Sequence, residues 1–283
     1  MNLNNVAVVS KFGSKQAEDA ARKVAKKLLA RKAKVYTVSP VDVKGAKKVS
    51  DLEEMRTAKL DLTITLGGDG TTLRTFRYLE NEVPNLAINV GGNRGILSEI
   101  TLPQIDTAID QIISDNIFLD RRIRVVASCN DEDFPPALNE IFINRQNLTK
   151  TSLFEIRFQN DTATQKMDGV IVATPSGSTG HSYSLGGPIL HESLDVLIIT
   201  PVAPVNKLPS IVVPDEKVEI ISNHDSNIIM DAQVIKTARF DDVITIRKYK
   251  KQAVFVFTQE YHFLRKRQAL LHHWYLKRSS TSR

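Results

Sequence analysis

At 283 residues the chain exceeds what a single hydrophobic core usually supports, so two domains are expected. Its 42% hydrophobic and 25% charged content is ordinary for a globular protein. No apolar run reaches the roughly 20 residues of a membrane span, and one cysteine, Cys129, excludes an intrachain disulfide or a multi-cysteine metal site. The net charge of +6, part of it carried by Arg265, Lys266, Arg267, Lys277, Arg278 and Arg283, comes without a nucleic-acid motif and suits an enzyme of polyanionic substrates.

The start, Met1 to Gly13, has neither the basic flank nor the apolar stretch of a signal peptide. A cytoplasmic protein with no membrane or nucleic-acid partner is expected, and the sequons at Asn147 and Asn160 are then incidental. Asn5–Ser10 is a short apolar run of the buried parallel-strand kind. Gln16–Ala30 follows with Ala20, Ala21, Val24, Leu28 and Leu29 at helical spacing. Strands are predicted at Lys34–Val38, Asp61–Leu66 and Asn85–Val90, and helices at Thr71–Leu79 and Pro103–Ile113. Strands alternating with helices imply a parallel sheet with right-handed crossovers, so residues 1–118 read as an α/β nucleotide-binding domain.

From 119 to 258 the chain reads as an all-β domain contributing to the substrate site. Strands are predicted at 121–128, 138–146, 152–159, 168–174, 194–200, 211–213, 217–222, 227–231, 242–248 and 253–257, joined by turn-rich pieces such as Asn130–Asp133. One helix is predicted inside it, near Ser178–Leu185. The tail, 259–283, reads as helical, with Phe263, Leu264, Leu270, Leu271 and Trp274 as an apolar set packing back on the first domain.

Four segments carry chemistry. Gly67-Gly68-Asp69-Gly70 follows an apolar strand and precedes a helix, the sheet edge where α/β folds bind ligands. Glycines there let backbone amides approach phosphate, the helix N-terminus favours anions, and Thr71 and Thr72 add hydroxyls. A carboxylate beside phosphate needs separate work, and for Asp69 that is accepting a hydroxyl proton during phosphoryl transfer, with a divalent ion screening charge. The alternative is a plain Asp-Gly turn, and no Walker A lysine follows. Asn89–Glu99, with Gly91, Gly92 and Gly95, is a second close-approach loop or an ordinary strand-to-helix connection. Asn139-Glu140 interrupts an apolar strand and would serve a ribose diol or an adenine amino group, unless both face outward. Asp168–Gly180 is a buried-looking strand followed by a loop rich in hydroxyls, with Thr174, Ser176, Ser178 and Thr179 suited to sugar and phosphate. None of the six histidines shows metal spacing.

In this order the four segments resemble the NAD kinase family, from about Asp61 to Phe257: the GGDG loop, the second glycine loop, the Asn-Glu pair, then Thr174-Pro175-Ser176-Gly177-Ser178-Thr179-Gly180-His181 and Gly186-Gly187-Pro188. The resemblance implies an α/β domain followed by a β-rich domain, with phosphoryl transfer from ATP or another donor to the 2′-hydroxyl of the adenosine ribose of NAD, giving NADP. It implies Mg2+ with the nucleotide and a homodimer or homotetramer. Asp69 is then the catalytic base, and Gly67, Gly68, Gly70 and Thr71 approach phosphate. Asn139 and Glu140 hold ribose and adenine, Asp168 contacts the second nucleoside, and Thr174, Ser176, Ser178, Thr179 and His181 line the NAD site. Asp231-Ala232-Gln233 resembles the family's Asp-Gly-Gln/Glu turn near the subunit contact.

The sequence departs from the family pattern at His181, where tyrosine is usual, at Ile96 for phenylalanine and at Ala232 for glycine. Val205–Ser210 lacks the arginine of the common His-Ser-Leu-x-x-Arg-Pro stretch. His181 either fills the tyrosine's space or lends positive charge to a phosphate. The branch these departures describe is divergent, in an archaeal manner. A lipid or sphingoid kinase shares the GGDG loop but not the Asn-Glu pair with the Thr174–Thr179 loop. A phosphofructokinase also shares the loop, but is longer. A non-catalytic NAD(P) sensor has no use for Asp69.

Overall fold

The computed structural model describes residues 3–56, 58–79, 81–91, 95–98, 100–264 and 267. The chain divides into two compact units, Met1–Asp120 with Val254–Arg283, and Arg121–Ala253.

In the first unit β1 (Asn5–Ser10), α1 (Lys15–Ala30), β2 (Lys34–Val38), β3 (Lys47–Val49), β4 (Leu62–Gly67), α2 (Asp69–Tyr78), β5 (Pro84–Asn89), β6 (Ile100–Thr101), α3 (Ile105–Ile113) and β7 (Phe118–Arg122) follow in order. α1 begins where the Ser14 side chain accepts from the Ala17 amide, and it buries Ala17, Ala20, Ala21, Val24, Ala25 and Leu28 on one face. That face, with Ile105, Ala108, Ile109 and Ile112 of α3, packs on Val6, Val8, Leu62, Ile64 and Leu66 of the sheet. Each fully buried branched side chain contributes about 1.5–3 kcal/mol. β2, β1, β4 and β5 pair in parallel, and β3 and β6 join them in the same sense. The buried hydroxyls of Thr63 and Thr65 both donate to Asn85 Oδ1, at 2.9 and 2.7 Å.

The second unit holds β8 (Val125–Cys129), β9 (Glu132–Asp133), β10 (Glu140–Arg145), β11 (Ser152–Phe158), β12 (Asp161–Met167) and β13 (Gly169–Ala173). It continues through α4 (His181–Ser184), β14 (Val196–Val202), β15 (Ile211–Pro214), β16 (Val218–Ser222), β17 (Ser226–Met230), β18 (Val234–Ala238) and β19 (Ile244–Lys248). They form two six-stranded sheets, β15-β14-β13-β10-β17-β18 and β12-β11-β16-β19-β8-β9. One core joins them: Ile141, Ile143, Val170, Val172 and Ile228 of the first meet Val125, Phe154, Ile156, Ile220 and Ile246 of the second.

Four expectations change. The run 253–257 is a strand, β20 (Ala253–Phe257), but it pairs in parallel with β5 in the first unit's sheet, where all five of its residues are buried. A strand buried on both faces reads as continuously apolar, and AVFVF does. Residues 121–128 belong to two strands, β7 and β8, in different sheets. Buried Arg124 lies at the break, its Nε donating to the Lys251 carbonyl at 2.9 Å and its guanidinium over the Tyr249 ring. β12 and β18 were not predicted because both are edge strands and mostly exposed. The helix expected at Ser178–Leu185 is a 3-10 turn, Ser176–Thr179, and then the four residues of α4. At the tail, Tyr261 stacks on Phe257 with ring centroids 5.3 Å apart, whereas Leu270, Leu271, Trp274, His272 and His273 lie outside the described residues.

Candidate active site

In the first unit the apolar β4 ends at Gly67 and α2 starts at Asp69, so the carboxylate occupies the first turn of a helix, where the dipole favours a negative group. Gly67 is required by packing, because a Cβ there would lie 2.3 Å from Thr71 Oγ1. A Cβ on Gly68 would meet nothing within 4 Å, so this position borders open space. Asp69 is held by the second glycine loop. Its Oδ2 accepts from the Ile96 amide at 2.9 Å and its Oδ1 from the Leu97 amide at 3.0 Å. Gly95 makes that possible, since a Cβ there would stand 2.1 Å from Asp69 Oδ1. The two glycine loops are one structure around a single carboxylate, which keeps further lone pairs for a hydroxyl. Asn89 Oδ1 accepts from the amide of Gly91, whose φ of 130° only glycine takes readily. Gly92, Asn93, Arg94 and Glu99 lie outside the described residues.

In the second unit Asn139 directly precedes β10 and Glu140 opens it, and the Thr174–Gly180 turn leaves the neighbouring β13. The Thr174 hydroxyl donates to the Leu138 carbonyl at 2.6 Å and accepts from the Gly177 amide at 3.2 Å. A Cβ at Gly177 would lie 2.2 Å from the Asn139 carbonyl, so glycine permits the turn to sit on the Asn-Glu pair. Here three buried polar atoms have no hydrogen-bond partner: Asn139 Oδ1, Glu140 Oε2 and Ser176 Oγ. Such atoms cost about 1–3 kcal/mol each unless a ligand or water meets them. Burial, then the like charge of Asp231, pushes the Glu140 carboxyl up to about 8.

The remaining expected residues separate. The Ser178 hydroxyl is taken up by Leu190, donating to its carbonyl at 3.4 Å and accepting from its amide at 3.0 Å. Thr179 is half-buried at the end of the 3-10 turn. His181 packs edge-on against Phe142, with centroids 5.1 Å apart, and partial burial lowers its pKa. Asp168 is not beside Asn139 and Glu140. In the β10–β13 ladder Glu140 pairs with Ala173 while Asn144 pairs with Gly169, which puts Asp168 at the opposite end, roughly 13 Å or more along the strands. There its Oδ1 accepts from Arg145 Nε at 2.7 Å.

Sequence reasoning missed Gly95 as the seat of Asp69, and it placed Asp231 only in a turn near the subunit contact, without linking it to the Asn-Glu pair. Asp231 is 3% exposed, and its carboxylate accepts from the amides of Leu138, Asn139 and Glu140 at 3.1, 2.8 and 3.3 Å. The available signal was a carboxylate directly after the apolar run Ile228-Ile229-Met230; in the structure Asp231 and Ala232 both take positive φ at that turn.

Residues 6–117 match the family model described as the ATP-NAD kinase N-terminal domain, and residues 138–258 the model described as the ATP-NAD kinase C-terminal domain. An NAD kinase of Picrophilus torridus is 32% identical over 269 residues, covering 93% of this chain and 97% of the relative. An NAD kinase of Methanothermobacter thermautotrophicus is 29% identical over 265 residues, covering 90% and 92%. Among solved structures, an NAD kinase from Archaeoglobus fulgidus in complex with ATP superposes with a TM-score of 0.72 at 28% identity, covering 89% of this chain and 92% of that one. Yeast NADH kinase complexed with NADH gives 0.87 at 20% identity, covering 95% and 88%, which is a likeness of fold. The chain is thus a phosphotransferase with an alcohol group as acceptor. It belongs to the NAD kinase family.

Proposed function

We propose that the chain transfers the terminal phosphoryl group of ATP to the 2′-hydroxyl of the adenosine ribose of NAD, giving NADP. The observation that carries this reading is the set of buried, unpartnered atoms on Asn139, Glu140 and Ser176, a ready complement for ribose hydroxyls and a base amino group. Asp69 takes the proton of the 2′-hydroxyl as that oxygen attacks phosphorus and the bond to the leaving ADP breaks. A positioned base contributes about 10²–10⁴ in rate. Gly67, Gly68, Gly70 and Thr71 present the backbone and helix start to phosphate, and Thr174 holds the turn on which Ser176 faces the nucleoside.

Among the described residues no group of three or more His, Cys, Asp or Glu is placed to hold a metal ion. In this reading Mg2+ would enter with the nucleotide's own phosphates, with Asp69 the carboxylate whose charge it would offset. When bound, the ion neutralises charge on the transferring group. Asp168, on its pair with Arg145, serves the second nucleoside in this reading, and the active form is a homodimer or homotetramer located in the cytoplasm. No helix among the described residues is long and apolar enough to cross a membrane.

The ATP complex of the Archaeoglobus relative supports ATP as donor. Incubating the purified chain with Mg-ATP and NAD, and reading NADP through a coupled dehydrogenase, tests the proposal. Other nucleoside triphosphates and polyphosphate run in parallel rank the donors. No NADP with any donor, while NAD still binds, would favour a sensor.

A further inference from the structure

The geometry assigns Asp231 as a positioning residue of the nucleoside site: its buried carboxylate fixes the backbone from Leu138 to Glu140 and so aims the Asn139 and Glu140 side chains at the ligand. This rests on the reading of that pair as the NAD-binding residues. Asp231 lies more than 90 residues away in sequence, on the turn that joins β17 to β18. It meets the start of β10 from both sides of its peptide chemistry, because its carboxylate accepts three successive amides while its own amide donates to the Glu140 carbonyl at 3.0 Å. The turn backbone is committed to this arrangement. Asp231 and Ala232 have φ of 48° and 54°, the pair of left-handed conformations of a type I′ turn, closed by the Gln233 amide on the Met230 carbonyl at 3.0 Å.

Three amides converging on one carboxylate fix the backbone of Leu138 to Glu140, and with it the direction in which the Asn139 and Glu140 side chains leave the chain. The opposite wall is equally fixed, by the Thr174 hydroxyl on the Leu138 carbonyl and by the Thr174 amide on the Asn139 carbonyl at 2.8 Å. The arrangement also has an electrostatic consequence. Asp231 is a second acid beside Glu140, and its charge adds to burial in holding the Glu140 proton until pH reaches about 8. His181, next to Gly180 in the chain, has its pKa lowered by burial. The ionised Glu140 accepts the stronger, charge-assisted hydrogen bonds from a sugar or base. NAD KM therefore falls as pH rises through about 8.

Asp231→Asn in the full chain, assayed with NAD and Mg-ATP from pH 6 to 9.5, tests the assignment. The asparagine keeps one acceptor oxygen but sets a donor against an amide, so NAD KM is expected to rise about tenfold, with kcat at saturating NAD and KM for ATP within about twofold. Loss of the charge moves the midpoint of the NAD KM profile to lower pH, a change that a purely structural residue would not produce. Asp231→Glu retains the charge and displaces it by one methylene, so it raises KM while leaving the midpoint in place. If the asparagine variant does not fold, the glutamate variant decides by the same KM-against-kcat comparison. Unchanged NAD KM and midpoint, a loss confined to kcat, or failure of both variants to fold would each overturn the assignment. Glu140→Gln, run alongside, separates the two levels: if it too leaves NAD KM untouched, the reading of the Asn-Glu pair fails instead.

Discussion

Replacing Glu140 by glutamine preserves shape and one acceptor oxygen while removing the ability to ionise, and it is expected to weaken NAD binding and stabilise the protein above neutral pH. The carboxyl is 6% exposed, Oε2 has no partner, and burial with Asp231 raises its pKa from 4.5 to about 8. In the unfolded chain the group loses its proton near 4.5, and in the folded chain near 8. Between those values the unfolded state binds fewer protons, so stability is fully present at the acid end and declines until pH passes about 8. At roughly 1.4 kcal/mol for each tenfold, the whole decline is on the order of 4–5 kcal/mol. The glutamine variant lacks it. Urea unfolding of parent and variant without nucleotide, at pH 5 and pH 9, should show the variant gaining several kcal/mol relative to the parent at the higher pH. Calorimetric titration at pH 9 should show NAD affinity lower by about tenfold, the difference between a charged and a neutral acceptor. A variant whose stability relative to the parent is the same at both pH values would refute the burial argument. Unchanged NAD affinity would remove Glu140 from the site.

Asp69→Asn is expected to reduce turnover by roughly two orders of magnitude or more while NAD affinity changes little, measured by steady-state NADP formation and by NAD titration. Near-normal turnover would return Gly67–Gly70 to a simple turn. Gly95→Ala places a methyl 2.1 Å from Asp69 Oδ1, and the side chain can swing aside where a backbone could not. Melting temperature should then hold while kcat falls at least about tenfold, within the range of a displaced base; equal kcat would show that the Asp69 position is not demanding. His181 is neutral above pH 7 because burial lowers its pKa, so His181→Tyr should leave the pH dependence of NAD KM between 7 and 9 unchanged. A difference centred above pH 7 would restore the charge-lending role.

Local pattern alone was enough to divide the chain into alternating strands and helices followed by short strands, because each residue's burial is dictated by the period of its own element. α1 shows this, with its apolar face spaced three and four residues apart. The order of the chemical motifs was also local information, since glycine, carboxylate and hydroxyl residues mark sheet-edge turns wherever they lie. Long-range pairing was not legible. Nothing within AVFVF says that β20 returns to β5 across the whole second unit, and β12, mostly polar and exposed, has no apolar periodicity to report its ladder with β11. The same limit governs the site. Asp69 meets the amides of Ile96 and Leu97, and Asp231 those of Leu138 to Glu140, through contacts 27 to 93 residues apart. Asp168 and Thr174, only a few residues apart, stand at opposite ends of one strand. A sequence specifies which groups are available, but hydrogen-bond partners and distances along a sheet exist only once the chain has closed, and these decide which side chains share a ligand.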